Sequence, residues 1–125
     1  MKVGDYADIT RTFSRRDLLE YTALSGHEIP GDQVPEPLIG ALFSYLLGVE
    51  LPGLGTNYLK QETRYGAAAI SGEALTARVE ITRLRPDKQL VDLATTCNRA
   101  DGAVVASGRA LVYVGSLMRK TDFEN

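Results

Sequence analysis

The chain has 125 residues, 44% hydrophobic and 24% charged, the balance of an ordinary globular protein of about one domain. A count of 14 basic against 16 acidic residues leaves a net charge of −2 without the basic excess of a nucleic-acid binder, while one Cys excludes a disulfide framework and one His a multi-histidine metal site. No apolar run reaches the roughly 18 residues of a membrane span, and Met1-Lys2-Val3-Gly4-Asp5 lacks signal-peptide character, so the expectation is a small cytoplasmic protein.

Tyr6 to Phe13 reads as a first strand. Ser14 follows as a helix N-cap, with Asp17 at the capping-box position in place of the usual Glu or Gln. Leu18, Leu19, Tyr21, Thr22 and Leu24 recur at helical spacing until Ser25-Gly26 ends the helix. His27 to Pro37 holds three prolines and a glycine and reads as a constrained loop. Leu38 to Leu47, L-I-G-A-L-F-S-Y-L-L, carries no charge, and Gly48 stands as its C-terminal stop. A helix apolar all round is expected to be buried on nearly every side, and this one is too short to cross a bilayer, so protein must surround it.

Strand pattern dominates the rest. Asn57 to Tyr65 is one strand, and Ala74 to Leu84 alternates, with Ala77, Val79 and Ile81 on one face. Arg85-Pro86-Asp87-Lys88 has turn chemistry. Leu90 to Asn98 is the next strand, with Val91, Leu93, Thr95 and Cys97 sharing a face. Asp101-Gly102 signals a hairpin. Val104 to Val114 closes the set, with Val104, Ala106, Gly108, Ala110, Val112 and Val114 on one face. Residues 1–117 then make a single domain, and 118–125 a polar tail. The class is α+β. An antiparallel sheet of about five strands wrapped around one long apolar central helix, the hot-dog arrangement, satisfies the pattern; an α+β sandwich of another topology has similar periods.

Val34 to Gln61 resembles the central helix and following strand of MaoC-like (R)-specific enoyl-CoA hydratases and related hot-dog dehydratases. That family continues L-L-G-x-x-L-P-G-x-G-x-x-Y-L-x-Q, which Leu46 to Gln61 matches. Phe13 to Ser25 resembles the family's first helix, and Ser71-Gly72-Glu73-Ala74-Leu75-Thr76-Ala77 the start of one of its strands. The resemblance implies a hot-dog homodimer joined through sheet edges. It also implies an acyl thioester substrate on coenzyme A or acyl carrier protein, and water addition to a trans-2-enoyl thioester, or the reverse, without metal or redox cofactor.

The catalytic loop departs from the family's Asp-x-Asn-Pro-x-His. Aligned on Pro30, this chain reads His27-Glu28-Ile29-Pro30-Gly31-Asp32, so the two catalytic residue types exchange places and a stretch after the loop is missing. Three readings stand. A dyad of His27 and Asp32 works in exchanged positions. Alternatively His27 acts as in the G-H-F-P-G-x-P-V loop of hydroxyacyl-carrier-protein dehydratases; Leu42 cannot supply their helix carboxylate, so Asp32 or Glu36 must. In the third, hydratase activity is lost and a thioester-binding module remains. Plainer roles stand beside these: Asp32 favouring a helix N-terminus and Glu28 solvated.

Ser44 aligns with a helix serine that positions water or thioester in related hydratases; its plainer role is a hydroxyl bonded back to the Gly40 carbonyl. The N-terminus of the central helix, at Glu36 and Leu38, is the expected oxyanion site. Pro37 lacks an N–H, and the Glu36 carboxylate there suits a thioesterase base; a thioesterase using Asp32 or Glu36 is the alternative enzyme reading. Lys60, Arg64 and Arg109 are candidates for the coenzyme A phosphates, or a solvated face. Cys97 reads as a small buried hydrophobe.

Overall fold

In the computed structural model, which describes residues 1–28 and 31–115, five strands form one antiparallel sheet. They are β1 (Tyr6–Thr12), β2 (Asn57–Tyr65), β3 (Ala74–Arg85), β4 (Leu90–Arg99) and β5 (Val104–Tyr113), in spatial order β1-β3-β4-β5-β2. Between β1 and β2 the chain forms α1 (Arg15–Ser25) and α2 (Glu36–Tyr45). This is the expected α+β arrangement. Ile29 and Pro30, on which the loop alignment leans, and the expected tail at 118–125 lie outside the described residues.

Alternation builds the inner face of the sheet. Val91, Leu93, Thr95 and Cys97 of β4 are all buried, and they stand in register with Val112, Ala110, Gly108 and Ala106 of β5. Ile81, Val79 and Ala77 of β3 extend three of those rows. Ile39, Leu42 and Phe43 of α2, with Leu46 and Leu47 just beyond it, join the same core. Full burial of each such side chain contributes about 1.5–3 kcal/mol, so this contact seats the helix. Thr95 is the polar exception: among the described residues its buried hydroxyl has no hydrogen-bond partner, a cost of about 1–3 kcal/mol.

Three expectations need correction. The apolar helix is not surrounded, because a single sheet covers one side of it: Ala41, Ser44 and Tyr45 are exposed, Tyr45 by 43%. Gly48 is not the stop. The helix widens into a π turn over Leu46–Glu50, where the Leu51 N–H donates to the Leu46 carbonyl at 2.8 Å, and Gly48 has no left-handed φ. In β5 the alternation slips. Cys97 pairs with Ala106 but Asn98 pairs with Val104, so Val105 is an extra residue; the bulge buries Val105 and exposes Val104.

The seam between β5 and β2 is close. Gly108 faces Thr63, and a Cβ on Gly108 would overlap the Glu62 carbonyl oxygen. Glycine is therefore required where β2 crosses β5. No helix among the described residues is long and apolar enough to cross a membrane. Gly108→Ala is expected to destabilise the fold by about 1–3 kcal/mol. Chemical denaturation checks this, and an unchanged midpoint contradicts the close seam.

Candidate active site

The C-terminus of α1 and the N-terminus of α2 frame the site. The Ser14 N–H donates to Asp17 Oδ2 at 2.8 Å and the Asp17 N–H to Ser14 Oγ at 3.1 Å, the capping box read from the sequence. The bond from the Ser14 backbone, then that with its side chain, holds the Asp17 carboxyl below the usual range. At the other end Gly26 adopts φ 75°, and its N–H donates to the Thr22 carbonyl at 2.9 Å. That left-handed cap turns the chain into the loop leading to α2.

The far end of the loop is pinned to the segment after β2. The Val34 N–H donates to the Ala69 carbonyl at 2.7 Å, and the Ser71 N–H to the Asp32 carbonyl at 2.8 Å. Gln33 forms an isolated antiparallel bridge with Ile70. Pro35 caps α2 in an extended conformation, and Pro37 lies in the first turn.

Between Tyr21 of α1 and Glu36 of α2 opens a cleft of about 300 Å³, with His27, Glu28 and Gln33 on its walls. Its apolar floor includes Val34 and Pro35. His27 is exposed, and its backbone N–H donates to Ser25 Oγ at 3.2 Å.

Asp32 is elsewhere. Its Oδ1 accepts from Arg15 Nη1 at 2.6 Å, and it lines a separate cleft with Leu18, Leu19 and Thr22 on another face of α1. With the two side chains 74% and 46% exposed, the ion pair adds only about 0–1 kcal/mol. The pair lies in that separate cleft, outside the one that holds His27. The structure thus does not bring His27 and Asp32 together.

Glu36 shares the His27 cleft. As the first residue of α2 it has an N–H without an intrahelical acceptor. The second oxyanion candidate is engaged: the Leu38 N–H donates to the Pro35 carbonyl at 3.0 Å. The Tyr65 hydroxyl donates weakly to the Glu36 carbonyl at 3.4 Å. Burial raises the Tyr65 phenol, and the negative charge of Glu36 and then Cys97 raise it further.

Ser44 lies two turns further along α2, roughly 12 Å from Glu36 along the axis. It is exposed and outside the His27 cleft. Burial raises the Tyr58 phenol, while the Ser44 hydroxyl acts to lower it. Lys60 and Arg64 project from the face of β2 opposite α2. They alternate there with Glu62, which Lys60 meets at 3.6 Å and Arg109 at 3.3 Å. Cys97 lies on the inner face of the sheet, where burial pushes its thiol up to about 11.

Sequence reasoning favoured Asp32 because it stands five residues from His27. A signal against it was present. Arg16 has Glu20 at helical spacing, but the corresponding positions for Arg15 are Leu18 and Leu19. That leaves Arg15 available to a carboxylate from outside the helix. As it stands, the cleft offers an imidazole, carboxylates and a helix N-terminus, the parts for moving a proton beside a polarised carbonyl.

No family model matches the chain. An (R)-specific enoyl-CoA hydratase from Aeromonas caviae is 32% identical over 126 residues, covering 90% of this chain and 94% of that protein. An enzyme of the same name from Rhodospirillum rubrum is 32% identical over 128 residues, with 91% and 88% covered. A solved structure of an A. caviae (R)-hydratase involved in PHA biosynthesis superposes with TM-score 0.86 and 31% identity, over 91% of this chain and 97% of that one.

Glu36→Gln removes one of the charges that raise Tyr65, so the Tyr65 phenol is expected to titrate at lower pH in the variant. Ultraviolet titration of tyrosinate, with Tyr65→Phe identifying the signal, checks this. An unmoved Tyr65 transition contradicts the proximity of the Glu36 carboxylate.

Proposed function

The chain belongs to the (R)-specific enoyl-CoA hydratase family, and on that premise we propose that it adds water to a trans-2-enoyl-CoA to give the (R)-3-hydroxyacyl-CoA, or runs the reverse dehydration. The observation that carries the reading to this chain is the cleft that unites its single histidine with the N-terminus of α2.

Hydration bonds the water oxygen to C3, moves the double-bond electrons toward the thioester, and protonates C2. The thioester oxygen gains charge in the transition state. The Glu36 N–H at the start of α2 is the donor aimed at that charge, because Pro37 has none and that of Leu38 is bonded to Pro35. His27 is the acid–base group, the only imidazole in the chain. Nothing in this sequence of bonds needs a metal or redox cofactor. Coenzyme A, or an acyl carrier protein, enters only as the carrier of the acyl group.

We further propose that the working form is a cytoplasmic homodimer joined at β2. Among the described residues this strand is hydrogen-bonded on one side only, to β5. Near it lie exposed apolar side chains at the end of α2, in the following loop and on β2: Tyr45, Val49, Leu54 at 89% exposure, Tyr58, and Leu59 at 57%. An open strand edge beside apolar surface is the pattern of a face that pairs with another chain.

With crotonyl-CoA and longer enoyl-CoAs, the double-bond absorbance is expected to fall with no release of free thiol. Release of thiol alone identifies a thioesterase, and binding without either identifies a module. His27→Ala is expected to lower kcat/KM by on the order of 10²- to 10⁴-fold, and an equally fast variant removes His27 from the mechanism. Sedimentation is expected to give twice the chain mass for the wild type, and the single-chain mass after Val49→Lys with Leu59→Lys. A monomeric wild type contradicts the dimer.

A further inference from the structure

Resting on the hydratase reading, we propose that Glu36 is the catalytic carboxylate, taking from the loop residue Asp32 the role of partner to His27. Three observations lead there. Asp32 is bonded to Arg15 at 2.6 Å and lines a cleft on another face of α1. Glu36 lines the cleft that holds His27. It also stands on the first residue of a helix that Ile39, Leu42 and Phe43 seat in the core, which anchors its backbone. Glu28 lines the same cleft, but it follows His27 directly in the loop, with no helix beneath it. A reacting group on a packed helix is held more closely than one on a loop.

The step balances. The Glu36 carboxylate takes a proton from water as the water oxygen bonds to C3. The C2–C3 π electrons move to form the enolate of the thioester, whose oxygen accepts from the Glu36 N–H. The enolate collapses and C2 takes a proton from the His27 imidazolium. Proton transfer from the Glu36 carboxyl to His27, directly or through solvent, restores both groups. One residue thereby addresses both ends of the reacting system, its backbone at the thioester oxygen and its side chain at the water on C3.

The test compares Glu36→Gln, Asp32→Asn and Glu28→Gln with the wild type on crotonyl-CoA, each checked for an unchanged denaturation midpoint. Glu36→Gln is expected to lose on the order of 10²- to 10⁴-fold in kcat/KM. Asp32→Asn is expected to stay within about threefold, because that carboxylate lies outside the cleft that holds His27, and Glu28→Gln to lose less than Glu36→Gln. Glu36→Ala provides a second measurement: added formate is expected to restore part of its rate, because a small carboxylate fills the vacated space and takes the same proton. A merely structural role would show no such rescue. Full activity in Glu36→Gln, or a large loss confined to Asp32→Asn or Glu28→Gln, overturns the assignment while leaving the hydratase reading intact. A wild type that hydrates no enoyl-CoA overturns both.

Discussion

The seating of α2 on the inner face of the sheet governs the rest of the molecule. Phe43, Leu46 and Leu47 lie in one core with Val79, Ile81, Leu93 and Val112, all essentially without exposure. Once that apolar stripe is committed, the direction of the helix axis is set. Its N-terminus then has one place to be, beside the turn where α1 ends at Gly26. The cleft is a consequence of that meeting. A short loop pinned to Ala69 and Ser71 brings His27 to the open end of a helix whose body cannot move without breaking the core.

The parts of the fold that obey local rules were legible in the sequence. The Ser14–Asp17 capping box, the Gly26 cap and the alternation of β4 each depend on residues a few positions apart. What escaped was set by contacts across the fold. Gly48 has the composition of a helix stop, yet Leu47 and Leu46 are buried and the chain widens around them before turning. The face assigned to β5 ran one residue too far, because a bulge against β4 inserts Val105. The exposure of Tyr45 was unexpected for the reason that makes it informative: one sheet cannot cover a helix that is apolar all round.

The site was legible in its residue types and less so in its partnerships. His27 and Asp32 are close along the chain and occupy different clefts, with the Asp32 carboxylate beside Arg15 on another face of α1. Glu36 is nine residues from His27 and shares its cleft. Chain separation measures reach, whereas the identity of a partner depends on which faces two helices turn toward one another. No periodicity within the loop carries that information. The curated relatives resemble this chain over nearly its whole length, so the altered loop sits in an otherwise shared frame.

The β2 edge has a consequence for any strand that approaches it. Among the described residues β2 is an edge strand nine residues long, bonded on one side, and so a template for an extended segment that meets it. Lys60, Glu62 and Arg64 write a plus-minus-plus pattern along its outward face. An uncharged apolar strand laid beside that row would take water from these charges and add no partner to the ion pairs that Glu62 already makes with Lys60 and Arg109. Charge on an approaching strand therefore bears on the cost of pairing at this edge.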